Sequence, residues 1–425
     1  MKQRIAIIGS GISGLTCAWL LRERYQVELY EAGSYFGGHT QTTDVDIDGV
    51  TYPVNTGFIV FNDWTYPGFI RLMEKLGVAH EASDMSFSVR CERSGNEYNG
   101  ANLDTLFARR SNLLRPSFLG MVRDILRFNR ETRQELDAGA VSERETLGEY
   151  LNRKGYGRTF RDLYIIPMGA AIWSASEEMM MAFPLYFFLR FFNNHGMLSV
   201  DDRPQWRVIS GGSQSYVRRM LEDIPEEQQF LNTPVTGVSR TGGKVQVLSA
   251  RGEREYDQVI FACHSDQALQ LLTDATQNER DILGAIPYKM NDVVLHTDSS
   301  ILPKRKKVWA SWNYHIGQKD QDCVAVTYYM NRLQNFHHAP VDFCVTLNKT
   351  RDINPDKIIR KFRYAHPVFT LEGMQAQKRH GDISGRMNTH FCGAYWFNGF
   401  HEDGVRSALR VTEALGVSLD AGDAG

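Results

Sequence analysis

Arg4-Ile5-Ala6-Ile7-Ile8-Gly9-Ser10-Gly11-Ile12-Ser13-Gly14 opens the first pattern of the chain, and Glu31 closes it. Ile5 to Ile8 form a short apolar run stopped by glycine, which reads as a buried strand. Residues 15–24 place Leu15, Ala18, Trp19 and Leu21 in a helical segment, and residues 26–30 alternate as a second strand. Strand, glycine turn, helix and strand in that order begin a parallel sheet. Within the turn, Gly9 permits the tight bend. Gly11 removes a side chain where a pyrophosphate must approach backbone N–H groups, and Gly14 lets the helix pack closely on the strand. The helix N-terminus then faces the negative charge. Glu31, at the end of the second strand, is placed to accept hydrogen bonds from an adenosine ribose. The glycine pattern alone is weak. Its setting makes it a dinucleotide site, without saying which dinucleotide.

Outward from this unit, residues 43–54 alternate as an antiparallel excursion. Helices are predicted over 69–76 and 118–130, the second entered through Pro116-Ser117. Shorter helices are expected at 146–151 and 158–164. Residues 183–192 are dense in aromatics. Ser210-Gly211-Gly212-Ser213 turns into a helix over 216–221. Residues 234–238 and 244–248 read as strands joined through Gly242-Gly243, and 258–263 as another buried strand. Residues 293–296, 307–312, 323–329 and 343–347 are strand-like, and 391–415 return to strand, glycine turn and helix. This alternation predicts two domains threaded through each other. The first comprises residues 1–65, 205–285 and 376–425, and the second comprises 66–204 and 286–375.

Bulk properties exclude several classes. A formal net charge of −2 gives no global basic field, so no nucleic-acid partner is expected. The six cysteines include no CxxC pair, which argues against a zinc knuckle or a disulfide framework and fits a reducing cytoplasm. Met1-Lys2-Gln3-Arg4-Ile5 lacks the layout of a secretory leader. The longest apolar stretch, 179–189, contains Pro184 and is too short to span a bilayer. His337-His338 and His390 with His401 form no ligand set, so no metal is assigned. No GxSxG elbow supports hydrolysis.

Four further stretches resemble the flavin-containing amine oxidase and phytoene desaturase superfamily. They are Gly37-Gly38-His39-Thr40 after the acid; Ser210-Gly211-Gly212-Ser213; Thr233-Pro234-Val235-Thr236; and Phe391-Cys392-Gly393-Ala394-Tyr395-Trp396 followed by Asn398-Gly399-Phe400-His401-Glu402-Asp403-Gly404. The resemblance implies an α/β fold in which a glutathione-reductase-like, FAD-binding Rossmann domain is interleaved with a mixed α+β substrate domain. It implies FAD held by Gly9, Gly11, Ile12, Ser13, Gly14, Glu31, Ala32, Gly37, Gly38, His39, Thr40, Asn55, Thr56, Gly57, Phe58, Val235, Ala262, Gly393, Phe400, His401, Glu402, Asp403 and Gly404. Asn55-Thr56-Gly57-Phe58-Ile59-Val60, Ser83-Asp84-Met85-Ser86-Phe87-Ser88 and Trp309-Ala310-Ser311-Trp312-Asn313-Tyr314 resemble a bacterial branch of predicted FAD-binding proteins. Its members commonly sit beside cyclopropane-fatty-acid-synthase-like methyltransferases, which implies a fatty acyl substrate.

That resemblance implies hydride transfer from a C–H bond to the flavin N5, with O2 or a quinone as electron acceptor. The rivals are an amine or amino-acid oxidase, a redox-neutral isomerase and a non-catalytic flavoprotein. The chain departs from the monoamine oxidases in two places. No cysteine lies between Cys344 and Cys392 to attach the flavin, and Phe400 falls at a caging tyrosine position without the hydroxyl. His39 reads as a loop residue and Lys289 as a solvated lysine, so no catalytic residue is assigned.

Three surface or core features carry two readings each. The aromatics of 183–192 read first as core and second as a tunnel for an apolar chain. Phe118, Val122, Ile125 and Leu126 form an apolar helix face flanked by Arg109, Arg110, Arg115, Arg123, Arg127 and Arg130. That is a domain-surface helix, or one lying on an anionic membrane. Lys304-Arg305-Lys306-Lys307 is a solvated loop, or a phospholipid contact. The location expected from these is cytoplasmic, with peripheral contact on the inner membrane face.

Overall fold

The computed structural model describes residues 2–199, 201–318 and 325–420. Its first body is built on a parallel sheet of five strands. Their spatial order is Gln229–Phe230, Gln26–Tyr30, Arg4–Ile8, Gln258–Phe261 and Thr389–Phe391. The apolar run at Ile5 to Ile8 is buried on both faces because each face has its own cover, as parallel sheets require. Ile5 and Ile7 point into a layer of helices formed by Ile12–Leu21, Pro67–Leu76, Gln214–Glu222 and His401–Ala414. Ala6 and Ile8 point the other way, toward the antiparallel strands Val235–Thr241, Lys244–Ser249 and Gly252–Tyr256. This is the expected Rossmann layering, with a three-stranded meander on one face. Tyr256 and Arg254 fasten that meander through the buried Glu28 carboxylate, which also takes Arg4.

The second body is a seven-stranded mixed sheet. Its order is Ile358–Pro367, Tyr288–His296, Cys344–Leu347, Ala325–Tyr329, Trp312–Ile316, Phe87–Cys91 and Asn96–Asn99. Among the described residues, only Phe87–Cys91 against Trp312–Ile316 is parallel in this sheet. Helices Pro116–Asp137, Leu147–Arg153, Ile166–Trp173 and Leu185–Asn194 form its own core.

Several sequence expectations shift. The boundary expected after residue 65 puts Pro67–Leu76 in the second body. Instead its buried Phe69, Leu72, Met73 and Leu76 join the nucleotide-domain core. Residues 307–312 are not a strand. A short turn at Lys306–Val308 precedes a strand that starts at Trp312, where alternation begins. Of the strand expected at 323–329, residues 323 and 324 lie outside the described residues and the rest forms Ala325–Tyr329. The helix expected at 118–130 runs over Pro116–Asp137. The aromatics of 183–192 are core: Phe183, Phe187, Phe188, Phe191 and Phe192 are buried around Trp173 and Phe369. Among the described residues no helix is long and apolar enough to cross a membrane.

Candidate FAD-binding site

A cavity of about 760 Å³ opens at the carboxyl ends of the parallel strands, beside the point where the strand order reverses. Ligands of open α/β sheets sit at such switch points. Gly9, Gly11, Ile12 and Ser13 form its floor, and Glu31 and Ala32 follow the neighbouring strand. Ala262, Cys263 and His264 follow the strand on the other side, and Gly393 follows the last one.

The three glycines of the first turn have different reasons. A Cβ on Gly14 would lie 1.9 Å from the Gly9 carbonyl oxygen, so Gly14 serves helix–strand packing. Gly9 has φ +104°, and its Cβ would meet the Ala262 carbonyl at 2.8 Å. Gly11 has an ordinary φ of −64°, and a Cβ there would meet nothing within 4 Å. The fold does not need glycine at that position. The empty space above it, at the uncapped N-terminus of Ile12–Leu21, is what a diphosphate would fill. Gly38 lies over the same turn, its Cβ position 3.0 Å from the Gly11 Cα. The Gly37 N–H donates to the Ser10 carbonyl at 3.0 Å. The Glu31 carboxylate accepts from the Ser10 N–H at 3.1 Å, the Ser10 hydroxyl at 2.5 Å and the Gly33 N–H at 2.7 Å.

A second helix start converges on the cavity. His401–Ala414 begins at Phe400 and His401, both of which line it. A Cβ on Gly404 would lie 2.6 Å from the Ile12 side chain, so the two helix N-termini cross there and both point at the cavity. Two partial positive charges aimed at one space suit a diphosphate.

Burial disfavours the charged form of the histidines at the cavity. Burial pushes the His39 imidazole down to about 4, with His264 adding to the effect, and its Nε2 is buried without a partner. His39 lies 5.1 Å from Tyr364, 5.4 Å from His366 and 6.0 Å from His264, ring to ring. Burial likewise lowers His264 to about 4 and His366 to about 3. The Nε2 of His39, one residue after Gly38, is buried without a partner in the wall of the cavity. His401 stacks on Phe58 at 3.6 Å, takes the Thr40 hydroxyl at 2.9 Å, and is lowered by burial and by His39.

The expected residues thus divide. Gly9, Gly11, Ile12, Ser13, Glu31, Ala32, Gly37, Gly38, His39, Val235, Ala262, Gly393, Phe400 and His401 line the cavity. Gly14, Thr40, Asn55, Thr56, Gly57, Phe58, Glu402, Asp403 and Gly404 do not. Thr40 and Phe58 hold His401. Thr56 donates to the Gln41 carbonyl, and a Cβ on Gly57 would strike the His39 carbonyl at 2.0 Å, so this stretch braces His39 from behind. The Asn55 amide oxygen accepts from the Ser213 N–H and the Thr42 hydroxyl, at 2.8 Å each, docking the turn at 210–213. Glu402 accepts from the N–H groups of Gly68 and Phe69, which caps Pro67–Leu76. Asp403 accepts from the Phe400 N–H at 2.9 Å, and burial pushes its carboxyl up to about 7.

Sequence reading missed the wall contributed by the second body. Tyr288, Met290, Arg363, Tyr364, Ala365 and Pro367 come from the paired strands Tyr288–His296 and Ile358–Pro367. Their pairing bridges some seventy residues of chain and leaves no local pattern. His264 had a signal, since the buried strand before it ends in the same manner as Ile8. Lys289 is half-buried and does not line the cavity. Beyond Phe400 lies a second cavity of about 540 Å³, bordered by His195, Asn398, Glu402, Asp403 and Arg406.

With this geometry in place, the likenesses to known proteins are specific. The profile of the flavin containing amine oxidoreductase family matches residues 12–308. The chain belongs to that family. It is an FAD-dependent oxidoreductase of the amine oxidase type. No curated sequence relative matches it. Among solved structures, cyclohexylamine oxidase from Brevibacterium oxydans IH-35A superposes with a TM-score of 0.71 at 15% identity, over 98% of this chain and 100% of that one. A CLA-producing fatty acid isomerase from P. acnes gives 0.71 at 16% identity, over 97% and 98%. A putative protoporphyrinogen oxidase from Exiguobacterium sp. 255-15 gives 0.68 at 16%, over 98% and 99%. At these identities the likeness shows the fold, and the family supplies the cofactor, FAD.

Proposed function

We propose that this oxidoreductase takes a hydride from a C–H bond of an apolar substrate, a fatty acyl chain, as a dehydrogenase or desaturase, with O2 or a quinone as the final electron acceptor. Bound FAD supplies a two-electron acceptor at N5 of its isoalloxazine ring. The protein's own part is to position the substrate and exclude water. The observation that carries the reading is Phe400. Its ring borders the FAD cavity and stacks on Phe191 at 4.9 Å, so an apolar wall stands where a phenol would hold an amine. Several ionisable groups of the lining are held uncharged, although Glu31, Asp266 and Arg363 also line the cavity. Burial holds His39 and His264 neutral, and it raises the Tyr288 and Tyr395 phenols so that they keep their protons. Hydride removal from an apolar chain asks for no strong protein base, which agrees with this lining. The fatty acid isomerase and the cyclohexylamine oxidase resemble the chain equally well, so the fold does not choose between these substrates.

The amine reading draws on a different observation. Glu402 and Asp403 border the second cavity next to Phe400, where a cationic substrate would meet them. Both already accept backbone N–H groups, which favours a capping role. The deciding experiment is an anaerobic visible spectrum of the FAD-loaded enzyme with phospholipid and free fatty acids, and separately with primary amines. Bleaching by the lipid substrates alone supports the proposal. Bleaching by amines alone overturns the substrate class. Lipid conversion without bleaching or acceptor consumption points to a redox-neutral isomerase.

A further inference from the structure

Among the described residues, nearly half of the exposed large apolar side chains fall in one short stretch. Leu103, Leu113, Leu114, Leu119 and Leu126 are 73%, 48%, 86%, 43% and 56% exposed. Of the apolar face read from sequence, Phe118 is buried, Val122 and Ile125 are half-buried, and only Leu126 is exposed. Phe118, Met121 and Phe128 turn inward and pack in the core of the second body. The opposite, outward row of Pro116–Asp137 is Leu119, Arg123, Leu126 and Arg130, and Leu113 and Leu114 protrude just before its first turn.

Basic residues surround these leucines, and the acids among them are already engaged. Lys304 to Lys307 are brought alongside by an ion pair of 2.6 Å between Lys307 and Asp104 and by Arg305 on Glu97 at 2.9 Å. Asp104 also takes Arg110 at 2.5 Å, and Asp124 is buried, accepting from the Gly157 N–H. Residues 101–130 and 304–307 together hold ten Lys or Arg against two Asp, in a chain whose formal net charge is −2. The protein is therefore polarised, with a strongly basic, leucine-studded face on an otherwise acidic molecule.

We propose that this face docks the enzyme on an anionic lipid bilayer, the leucines entering the headgroup boundary and the arginines and lysines meeting the lipid phosphates. The mixture selects the partner. Exposed leucines without aromatic platforms do not suit nucleic acid, which is stacked on rings. A second copy would set like charge against like charge. A bilayer of acidic headgroups complements both components, since apolar insertion and electrostatic attraction act together at the interface. The inference rests on the surface alone and holds for either substrate class.

Flotation of the FAD-loaded protein with phosphatidylcholine vesicles, and with vesicles containing phosphatidylglycerol, tests it. The protein is expected to float with the anionic vesicles only, and less so as salt rises. Leu113→Ser with Leu114→Ser should weaken this binding tenfold or more. Arg123→Glu with Arg130→Glu should weaken it by roughly fivefold per charge removed. All four positions lie away from both cavities, so flavin content and melting temperature should stay at the wild-type values. Equal or absent flotation on both vesicle types overturns the proposal, as does binding unchanged in both double variants. So does a vesicle-free dimer that the leucine variant dissociates, which would assign the face to a protein contact.

Discussion

Gly11→Ala separates what the fold needs from what the cofactor needs. In the protein without ligand, the new methyl group meets nothing within 4 Å and the backbone angle is one that alanine adopts freely. Replacing glycine at a compatible position narrows the unfolded ensemble and stabilises by about 0.4–1 kcal/mol. With FAD, the same methyl occupies the approach of the diphosphate to the N–H groups at the start of Ile12–Leu21. Two charge-assisted hydrogen bonds lengthen or break, at ~1.5–3 kcal/mol each. Affinity should then fall by roughly a hundredfold or more. The assay is a pair of measurements on one preparation: thermal unfolding of the apoprotein by circular dichroism, and FAD titration followed by quenching of flavin fluorescence. The expected result is an apoprotein melting at or slightly above the wild-type temperature, with FAD binding largely lost. Gly14→Ala supplies the contrast, because its Cβ would sit 1.9 Å from the Gly9 carbonyl oxygen and should destabilise the apoprotein itself. Wild-type FAD affinity in Gly11→Ala would refute the placement of the diphosphate. A strongly lowered melting temperature would refute the claim that glycine there serves only the ligand.

Three more outcomes follow from the same geometry. Glu31→Ala removes the acid at the ribose position and should weaken FAD about tenfold to a hundredfold. Competition by ADP should weaken in parallel, and unchanged ADP competition would place the ribose elsewhere. Asp403 titrates at about 7 in the fold against 3.8 for the ordinary carboxyl. The folded state therefore keeps a proton that the unfolded state gives up, and this stabilisation, complete below pH ~4, fades as pH rises through ~7. Asp403→Asn keeps the acceptor for the Phe400 N–H, so its stability advantage over the wild type should grow across that window, by at most about 4 kcal/mol. A constant difference from pH 4 to 8 would exclude Asp403 as the titrating group. Glu279→Ala strands the Arg240 guanidinium, which is buried and otherwise shared only with Asp274. Urea unfolding should show a loss of about 3–5 kcal/mol, and a loss under ~1 kcal/mol would mean that Asp274 suffices.

How much was legible in advance depended on whether each feature was local. The turn at 9–14 announced itself because strand, glycine spacing and helix lie within one short stretch, and each glycine has a steric reason that sequence alone implies. The docking of Gly37 and Gly38 onto that turn was reached through resemblance to a family, not through pattern. The far wall was not legible. Tyr288, Tyr364 and Pro367 reach the cavity through an antiparallel pair whose second strand, Ile-Ile-Arg-Lys-Phe-Arg-Tyr-Ala-His-Pro, is an edge strand studded with cations. Edge strands carry such charges to avoid unwanted pairing, which erases the alternation that marks a strand. The helix 116–137 failed in the opposite sense. Its apolar residues were visible, but which of its two faces was buried depended on the aromatic core it covers.

Asn55, Thr56, Gly57 and Phe58 show why a motif and a contact differ. Their resemblance to a flavin-binding branch is real in sequence, yet none of them borders the cavity. Phe58 stacks under His401, Gly57 lets the chain pass against His39, and Asn55 ties down the turn at 210–213. These residues act on the cofactor site through the two imidazoles that do border it. The position of His39 and His401 is thereby set by side chains that a ligand never touches. A substitution such as Phe58→Leu, which removes the stacked ring and some buried volume, should lower both FAD affinity and the melting temperature. The same reasoning extends to Thr40, whose hydroxyl joins His401 to Tyr216 in the helix layer. His39 packs against Tyr364 and His366 of the long strand pair, whereas His401 is held by Phe58, Thr40 and Tyr216 of the nucleotide domain.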